Sequence, residues 1–405
     1  MEAEARPRLR GIEVHPINHQ GRPSLLLRDP LQLSDKVIVV PQQLAPALAL
    51  CDGRHEVSAI HARLSFGLGL RIDRETVKNF VAALDGALLL ENERFHRAYR
   101  DALAAYRQAP YRPPHLAGKS YPAEADELRR KLSEYSAQAV DLPPGPAGGR
   151  GLVSPHIDYQ RGGPTYARIW QHSAEMARAA DLAIVLGTDH CGGDGRLTLT
   201  RQHYATPLGA LPTAQPIVDE IARAIGDEAA FGEELHHQHE HSIELAAVWL
   251  HYIREGAGCE VVPILCGSFR HFVRGEADPA ADERIETVVE HLRQAMAGRR
   301  TVVVAAADLA HVGPAFDGPP QGAWEQAQLR AADAALIDQM CHGSADGFLH
   351  AIRQVGDRYN VCGLPPIYIA MRILGPGGGE QIAYAHCPAD AQGTSWVSIC
   401  GIAWQ

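Results

Sequence analysis

The sequence lacks the features that mark a membrane or exported protein. No apolar run approaches the roughly 20 residues that a membrane-spanning helix needs. Residues 1–11 are charged and contain neither the apolar stretch nor the small-residue cleavage site of a secretory signal. We therefore expect no membrane association and a cytoplasmic location.

Paired cysteines and a basic excess are also missing. The eight cysteines contain no Cys-x-x-Cys pair, which excludes a zinc ribbon and a thioredoxin-like redox motif. Most of them are expected to be reduced, buried thiols. The formal net charge of −10 and the absence of a basic stripe give no electrostatic reason to bind a phosphate backbone. Nucleic acid is therefore not an expected partner.

Histidine is the residue type that the chain has in excess. It has 21 histidines, of which 15 follow residue 150. A chain of 405 residues is too long for one ordinary core, since cores stop growing at roughly 250 to 300 residues. These observations predict a small and a large domain, with the histidine chemistry in the large C-terminal one.

The N-terminal part predicts short strands followed by three helices. Strands are expected within residues 24–40 and a further one at 87–90, with helices at 42–50 and 56–64 between them. In the third helix, capped by Asp73, apolar residues fall at i, i+3, i+4 and i+7 and form one buried stripe. This order is typical of a small winged-helix-like module.

The same region resembles the PqqD-type peptide-binding fold. The resemblance covers roughly residues 20–95 and rests on the run L-A-L-C-D-G at 48–53 with the apolar segments that follow it. A generic winged helix is the alternative. We assign the module to residues 1–105 and a proline-rich linker to 106–116.

The second domain, residues 117–405, alternates apolar strands with amphipathic helices. A helix is expected at 123–135, followed by a loop rich in proline and glycine at 142–151. Alternation of this kind predicts an α/β fold with a mainly parallel sheet and helices on both faces. The predicted strands are 151–154, 181–187, 260–267 and 301–307, with an edge hairpin formed by 381–386 and 395–404.

Histidines follow three of these strands. His156 comes after strand 151–154, His190 after strand 181–187, and His311 closely follows strand 301–307. Ligands of open α/β sheets bind at the carboxyl ends of the strands, so these side chains are expected at one edge. A single histidine there is more often structural, but three with nearby aspartates favour a functional site.

Two further segments have competing interpretations. In residues 238–244, Glu240 and Ser242 can simply cap the helix that follows, which leaves the neighbouring histidines unexplained. His236 and His237 are expected to be solvated, and residues 269–271 are expected to form a loop.

Cys362 lies in a turn just before a predicted helix. A helix N-terminus lowers the pKa of a thiol, which can then act as a metal ligand or nucleophile. A buried, inert thiol explains the position equally well. The residues around Cys362 do not decide between these interpretations.

Seven motifs in fixed order resemble the Memo family, which includes protein B of the bacterial and archaeal AmmeMemoRadiSam system. The match begins at Ala117 and continues through nearly the whole C-terminal domain. The motifs are A-G-K-S-Y-P at 117–122, P-H-x-x-Y at 155–159, L-G-x-x-H at 186–190, E-H-S-I-E at 240–244, V-P-I-L-x-G at 262–267, D-x-x-H-x-G at 308–313 and V-C-G at 361–363.

The resemblance implies a fold related to the class III extradiol dioxygenases and one iron(II) or copper ion. Its protein ligands would be His156, His190 and Cys362, with a carboxylate in the place of Cys362 in the ring-cleaving relatives. A thiolate is softer than a carboxylate and favours copper(I). The residues that would orient ligands or move protons are His241, Asp308 and His311.

The sequence departs from the family pattern beside these residues. Asp158 and Asp189 add negative charge, which would favour a cationic ligand or stronger metal binding. The first hypothesis is a metal-dependent oxidoreductase with an unknown substrate. The second is a non-enzymatic metal chaperone or peptide-binding scaffold that works with a radical-SAM protein and its peptide substrate. A hydrolase that uses a cysteine or an aspartate is the third.

Overall fold

The computed structural model describes residues 6–139, 142–143, 145 and 148–405. Part of the loop predicted at 142–151, and the first five residues, lie outside this description. The chain divides into two compact units, Met1–Gln108 and Ala109–Gln405. None of the helices in the described ranges is both long and apolar enough to cross a membrane.

The first unit consists of an antiparallel sheet followed by helices. Its core comes from both, and includes Leu27, Val40, Ile60 and Leu84. Residues 87–90 form no strand; Leu90 makes only an isolated bridge with Leu9. The elements are β1 Glu13–His19, β2 Arg22–Arg28, β3 Ile38–Pro41, α1 Ala45–Leu50, α2 Val57–Ala62, α3 Arg74–Gly86 and α4 Glu93–Gln108, with the strands in the order β1-β2-β3.

The second unit begins with a helix and then alternates strands and helices. The elements up to the middle of the sheet are α5 Ala125–Ser136, β4 Gly151–Ser154, α6 Tyr159–His172, α7 Ala174–Ala179, β5 Leu182–Thr188, β6 Leu197–Leu199, β7 Tyr204–Thr206, β8 Gly209–Leu211, α8 Gln215–Ile225, α9 Asp227–Phe231 and α10 Ser242–Ile253. They are followed by β9 Glu260–Cys266, α11 Arg270–Val273, α12 Glu283–Met296, β10 Thr301–Ala306, β11 His311–Val312, α13 Ala323–Cys341, α14 Ala345–Gln354, α15 Leu364–Leu374, β12 Gly379–Pro388 and β13 Trp396–Trp404.

The central sheet is mainly parallel, as predicted. Its order is β11-β13-β4-β10-β5-β9-β6, and β12 pairs with β13. The four strands β4, β10, β5 and β9 are parallel, while β13 and β6 join them antiparallel on either side. The predicted C-terminal hairpin is present beside β4, but the short strand β6 on the opposite side was not expected from the sequence.

Helices cover both faces of the sheet because alternate strand residues point to opposite sides. Ile184 and Val303 pack on the face that carries α8, α12, α13, α14 and α15. Val185 and Val304 pack on the other face, against α5, α6, α7 and α10. The strands are buried on both sides, which explains why they are continuous apolar runs.

Residues between the two predicted domains are partly packed. Helix α4 continues to Gln108, past the expected boundary at 105. Arg112, within the predicted linker 106–116, is fully buried and forms an ion pair with Glu244 of α10. The segment that precedes α5 is therefore fastened to the second unit.

Candidate metal centre

Three neighbouring parallel strands deliver polar side chains to one edge of the sheet. His156 follows β4, Asp308 follows β10, and His190 follows β5, in the spatial order β4-β10-β5. The expected convergence at the carboxyl edge is therefore present. The rings of His156 and His190 meet edge to face, with their centroids 5.2 Å apart.

His156 is buried and its ring is oriented by backbone contacts. Nδ1 lies 3.0 Å from the carbonyl oxygen of Ala306, so this nitrogen carries the proton and donates it. Asp308 holds the backbone of the same residue, because its Oδ1 accepts the His156 amide at 2.8 Å. Nε2 of His156 is thereby left to face Cys362 Sγ, at a distance of 3.3 Å.

His190 is oriented in the same way by Glu240. The Nδ1 atom of His190 lies 2.9 Å from Glu240 Oε2, and Glu240 Oε1 accepts the amides of His241 and Ser242 at 2.7 and 2.9 Å. The carboxylate thus joins the end of β5 to the start of α10. Because Nδ1 is engaged in both rings, Nε2 is the nitrogen of His190, as of His156, that could bind a metal.

Close approach of backbone positions Cys362. Helix α15 starts two residues later, and the Gly363 amide donates to the carbonyl oxygen of Asp308 at 3.0 Å. A Cβ atom on Gly363 would lie 2.2 Å from that oxygen, so only glycine fits here. Thr188 Oγ1 also donates to the Cys362 carbonyl at 3.1 Å. Residues 361–363, which we call the cysteine loop, are therefore held against the ends of β5 and β10.

The thiol of Cys362 lies in a strongly cationic environment. Burial alone would raise its pKa, but His311 and His156 hold the pKa of Cys362 well below its usual 9. The pKa of the neighbouring His156 is shifted in the opposite direction. Burial lowers it, but Asp308 and Cys362 outweigh burial and raise it overall to about 9. The group is a thiolate next to charged imidazoles, and a metal cation would replace those protons.

His241 is a further candidate for the third metal ligand, beside Cys362. One ligand atom from each of His156, His190 and His241 lies within 4.8 Å of the others. The ring of His241 stacks on that of His190 with centroids 5.2 Å apart. Burial and the two neighbouring histidines lower the pKa of His241 to about 4, so it is neutral and offers a free lone pair. The geometry leaves both Cys362 and His241 within reach of the same ion.

Asp308 and His311 complete the group at the end of β10. Burial raises the pKa of Asp308, and Cys362 raises it further. For His311, burial lowers the pKa, but Cys362 and Asp308 outweigh it and raise the pKa overall. His311 Nδ1 is 3.3 Å from the carbonyl oxygen of Leu309, and its ring contacts Phe316. All six residues singled out from the sequence therefore lie in one cluster.

Several side chains behave differently from the expectation. His237 is fully buried, accepting from Tyr204 OH at Nδ1 and donating to the Thr198 carbonyl from Nε2, so it is not solvated. His236 is partly buried and bonds to Asp189 at 2.8 Å. The solvated interpretation was wrong because the helical turn Glu234–Gln238 packs inward, a tertiary effect that polar residue types do not reveal.

The structure also changes the interpretation of Glu240 and of Asp158 and Asp189, the two aspartates that differ from the family pattern. Asp158 caps α6 and pairs with Arg161, at 2.6 Å. Asp189 accepts the Cys191 amide and bonds to His236. Their charges are therefore compensated by neighbours. Glu240, for which capping of the helix was one of the two interpretations, accepts the amides of His241 and Ser242 and in addition bonds directly to His190. The sequence signal for that second contact was its place in the E-H-S-I-E motif.

Comparison with known proteins identifies the family. The model of the Memo-like protein family matches residues 112–402, which include the whole candidate metal centre. The chain belongs to the Memo-like family. The first unit lies outside the matched residues.

Relatives of this Memo-like chain occur in archaea and bacteria. It is 29% identical over 287 residues to a MEMO1 family protein of Methanopyrus kandleri, covering 68% of this chain and 91% of the relative. A MEMO1 family protein of Aquifex aeolicus is 24% identical over 316 residues, or 78% of each chain. One from Archaeoglobus fulgidus is 26% identical over 296 residues, 73% of this chain and 99% of the relative.

Proposed function

We propose that the second unit binds one iron(II) or copper ion through His156, His190 and Cys362 and acts as a non-haem oxidoreductase. The observation that carries this proposal is the approach of the Cys362 sulfur to His156 Nε2, at 3.3 Å, with the Nδ1 atoms of both histidines occupied by other partners. Two imidazoles and a thiolate form a ligand set suited to these metals.

The bound ion would supply redox chemistry and Lewis acidity. The chain's own groups would handle protons: His241, held neutral, offers a lone pair, and His311, with its raised pKa, holds a proton to donate. Asp308 and Glu240 would act as positioning residues through their contacts with His156 and His190. A relation to extradiol dioxygenases is part of this proposal.

Metal analysis after anaerobic reconstitution tests the proposal. We expect about one iron or copper per wild-type chain, and loss of it in Cys362→Ala. Cys362→Asp is expected to retain iron(II) and lose copper(I), because a carboxylate is a harder ligand. Cys341→Ala, on α13, is the matched control. Equal metal content in wild type and Cys362→Ala would contradict the ligand assignment.

A second candidate function is peptide capture by the first unit, favoured by its sheet edges. Within residues 6–139 no further strand pairs with β1 or β3. A cavity of about 820 Å³ lies beside β3 and is lined by Val39 and Pro41. An extended peptide can add to such an edge. This would suit a PqqD-like module serving a radical-SAM protein, with the second unit as metal chaperone or scaffold.

Titration of the full chain with peptides encoded near its gene tests the second candidate. Saturable binding, weakened by Val39→Pro on the edge strand, is the expected result, since proline removes a backbone donor. Val14→Pro, on the opposite edge strand β1, is the comparison variant. Absence of binding by every peptide would remove the basis for this candidate.

A further inference from the structure

One cavity is lined by residues of both the candidate metal centre and helix α11. Its volume is about 610 Å³, within the range of small-molecule sites. His190 and Cys362 line it, and so do Arg270 and Arg274. The cavity therefore joins the proposed metal ligands to a pair of guanidinium groups.

Apolar residues also line this cavity. They come from the α11 segment and from the start of α15. A molecule that occupied the cavity would bury an apolar body here while its ends reached polar groups, as is usual for small-molecule sites. The apolar lining residues are Phe269, Val273, Val361, Leu364 and Pro365.

The acidic side chains of the cavity are already engaged. Asp189 bonds to His236 and to the Cys191 amide. Asp357 accepts the Val361 amide at 2.9 Å, and burial raises its pKa. Neither carboxylate is positioned to neutralise the arginines, since neither forms an ion pair with them in the described part of the chain.

No strong ion pair among the described residues neutralises the guanidinium groups of the two arginines. Arg270 forms no ion pair with any carboxylate among the described residues. Arg274 approaches Glu276 only to 3.8 Å, and both side chains are more than half exposed, so this contact is weak. The arginines are four residues apart, with Arg270 first in α11 and Arg274 directly after its last residue, a spacing that places them on one side of a helical turn.

We propose that this cavity binds a small molecule with an anionic group, a carboxylate or a phosphate, held by Arg270 and Arg274. Its apolar body lies on Phe269 and Leu364, and its other end reaches His190 and Cys362. This names the substrate class of the proposed oxidoreductase and rests on that function for the reaction, but anion binding itself requires no metal. Guanidinium groups suit such oxyanions because their paired donors match the oxygen spacing.

Calorimetric titration of the full-length, metal-free chain tests the inference. Benzoate and inorganic phosphate are the charged probes, and benzamide is the neutral match for benzoate. We expect benzoate or phosphate to bind at least tenfold more tightly than benzamide. Arg270→Gln and Arg274→Gln should each weaken that binding roughly tenfold or more, since each removes a charge-assisted contact. Arg284→Gln, exposed on α12, should leave it unchanged.

The probes and variants separate the possible outcomes. Benzoate and phosphate distinguish a carboxylate from a phosphate ligand. Equal binding of benzoate and benzamide, no binding of any probe, or unchanged binding in both arginine variants would overturn the inference. The variants should keep wild-type melting temperatures and metal content, because both arginines are exposed. Cys362→Ala should lose metal and still bind the anion, so failure of the metal assignment is recognised separately.

Discussion

Glu240 shows how one carboxylate determines what a histidine can bind. Its Oε1 atom accepts two backbone amides, and its Oε2 atom accepts the Nδ1 proton of His190. In the sequence, Glu240 stands in the E-H-S-I-E motif just before a predicted helix, but its partner His190 lies 50 residues away. The role of Glu240 as a positioning residue therefore depends on tertiary contact.

Glu240→Gln is expected to weaken metal binding about 10- to 100-fold. The amide oxygen should remain on the backbone amides, which turns the NH₂ group towards His190 Nδ1. That nitrogen must then accept, so the proton moves to Nε2, which can no longer bind a metal. Metal affinity measured by competition with a chelator checks this. Glu220→Gln, exposed on α8, is the control, and an unchanged affinity in Glu240→Gln would contradict the positioning role.

His237 is a buried histidine whose two hydrogen bonds require the neutral imidazole. Its Nε2 atom donates to the Thr198 carbonyl and its Nδ1 atom accepts from Tyr204 OH, at 3.0 and 2.6 Å. Burial is the largest cause that lowers its pKa, from 6.5 to about 3. The unfolded chain therefore takes up this proton first as the pH falls below 6.5.

The contribution of His237 to stability is accordingly expected to fall between pH 6.5 and 3, with roughly 2 kcal/mol of that loss between pH 7.5 and 5. Denaturant unfolding at these two pH values measures it. His237→Gln should lose about 2 kcal/mol less than wild type over the interval. His342→Gln, at an exposed position, should retain the wild-type loss. Equal losses in wild type and His237→Gln would contradict the assignment.

At the scale of elements, the cysteine loop and the end of β10 fit together without spare space. A Cβ atom on Gly363 would meet the Asp308 carbonyl oxygen at 2.2 Å and Ala307 Cβ at 2.7 Å. A similar contact brings α10 onto β5, where a Cβ on Gly187 would lie 2.5 Å from Ser242 Oγ. The site is therefore assembled by close packing of element ends.

Gly363→Ala is expected to displace the loop that carries Cys362. Overpacking of this kind typically destabilises by about 1–3 kcal/mol. Metal content should fall together with the free energy of unfolding, since the sulfur moves away from His156. Gly378→Ala, where a Cβ meets nothing within 4 Å, is the matched control. Wild-type metal content in Gly363→Ala would show that the loop tolerates the added methyl group.

Helix α11 illustrates how an element can be missed. Residues 269–271 were expected to form a loop, but Arg270–Val273 form a single helical turn. Phe272 of this turn is fully buried and anchors it to the core. Four residues are too few for a helical period to emerge from the sequence. The arginines of the proposed anion site were overlooked for the same reason.

At the scale of the whole molecule, a buried ion pair joins distant parts of the second unit. Glu244 accepts from Arg112 and Tyr121 OH, and from the amides of His115 and Leu116 at 2.8 Å. The ion-pair partners are 132 residues apart in the sequence and fully buried. Burial raises the pKa of Glu244, but Arg112 and the hydrogen bonds outweigh it and lower the pKa overall.

Glu244→Ala is expected to destabilise the second unit by about 3–5 kcal/mol, because it leaves the charge of Arg112 buried without a partner. Thermal and denaturant unfolding measure the loss. Glu220→Ala, at an exposed helix position, should change stability by no more than about 0.5 kcal/mol. A loss below about 1 kcal/mol in Glu244→Ala would show that solvent reaches Arg112 in the native state.

The sequence by itself determined the α/β class, the four parallel strands and the edge at which His156 and His190 meet. These follow from local periodicity and from the rule that carboxyl ends of parallel strands share one edge. The ordered motifs added Cys362 as a candidate ligand and indicated the family, and the comparisons confirm the family.

Only the tertiary structure decided which side chains face one another. The Cys362–His156 contact spans 206 residues, and the contact of Glu240 with His190 spans 50. The burial of His237 and the hydrogen bond of Asp189 to His236 depend on similar contacts between separate segments. Residue type and spacing describe each segment alone, whereas burial, protonation and ligand geometry arise when packing brings the segments together.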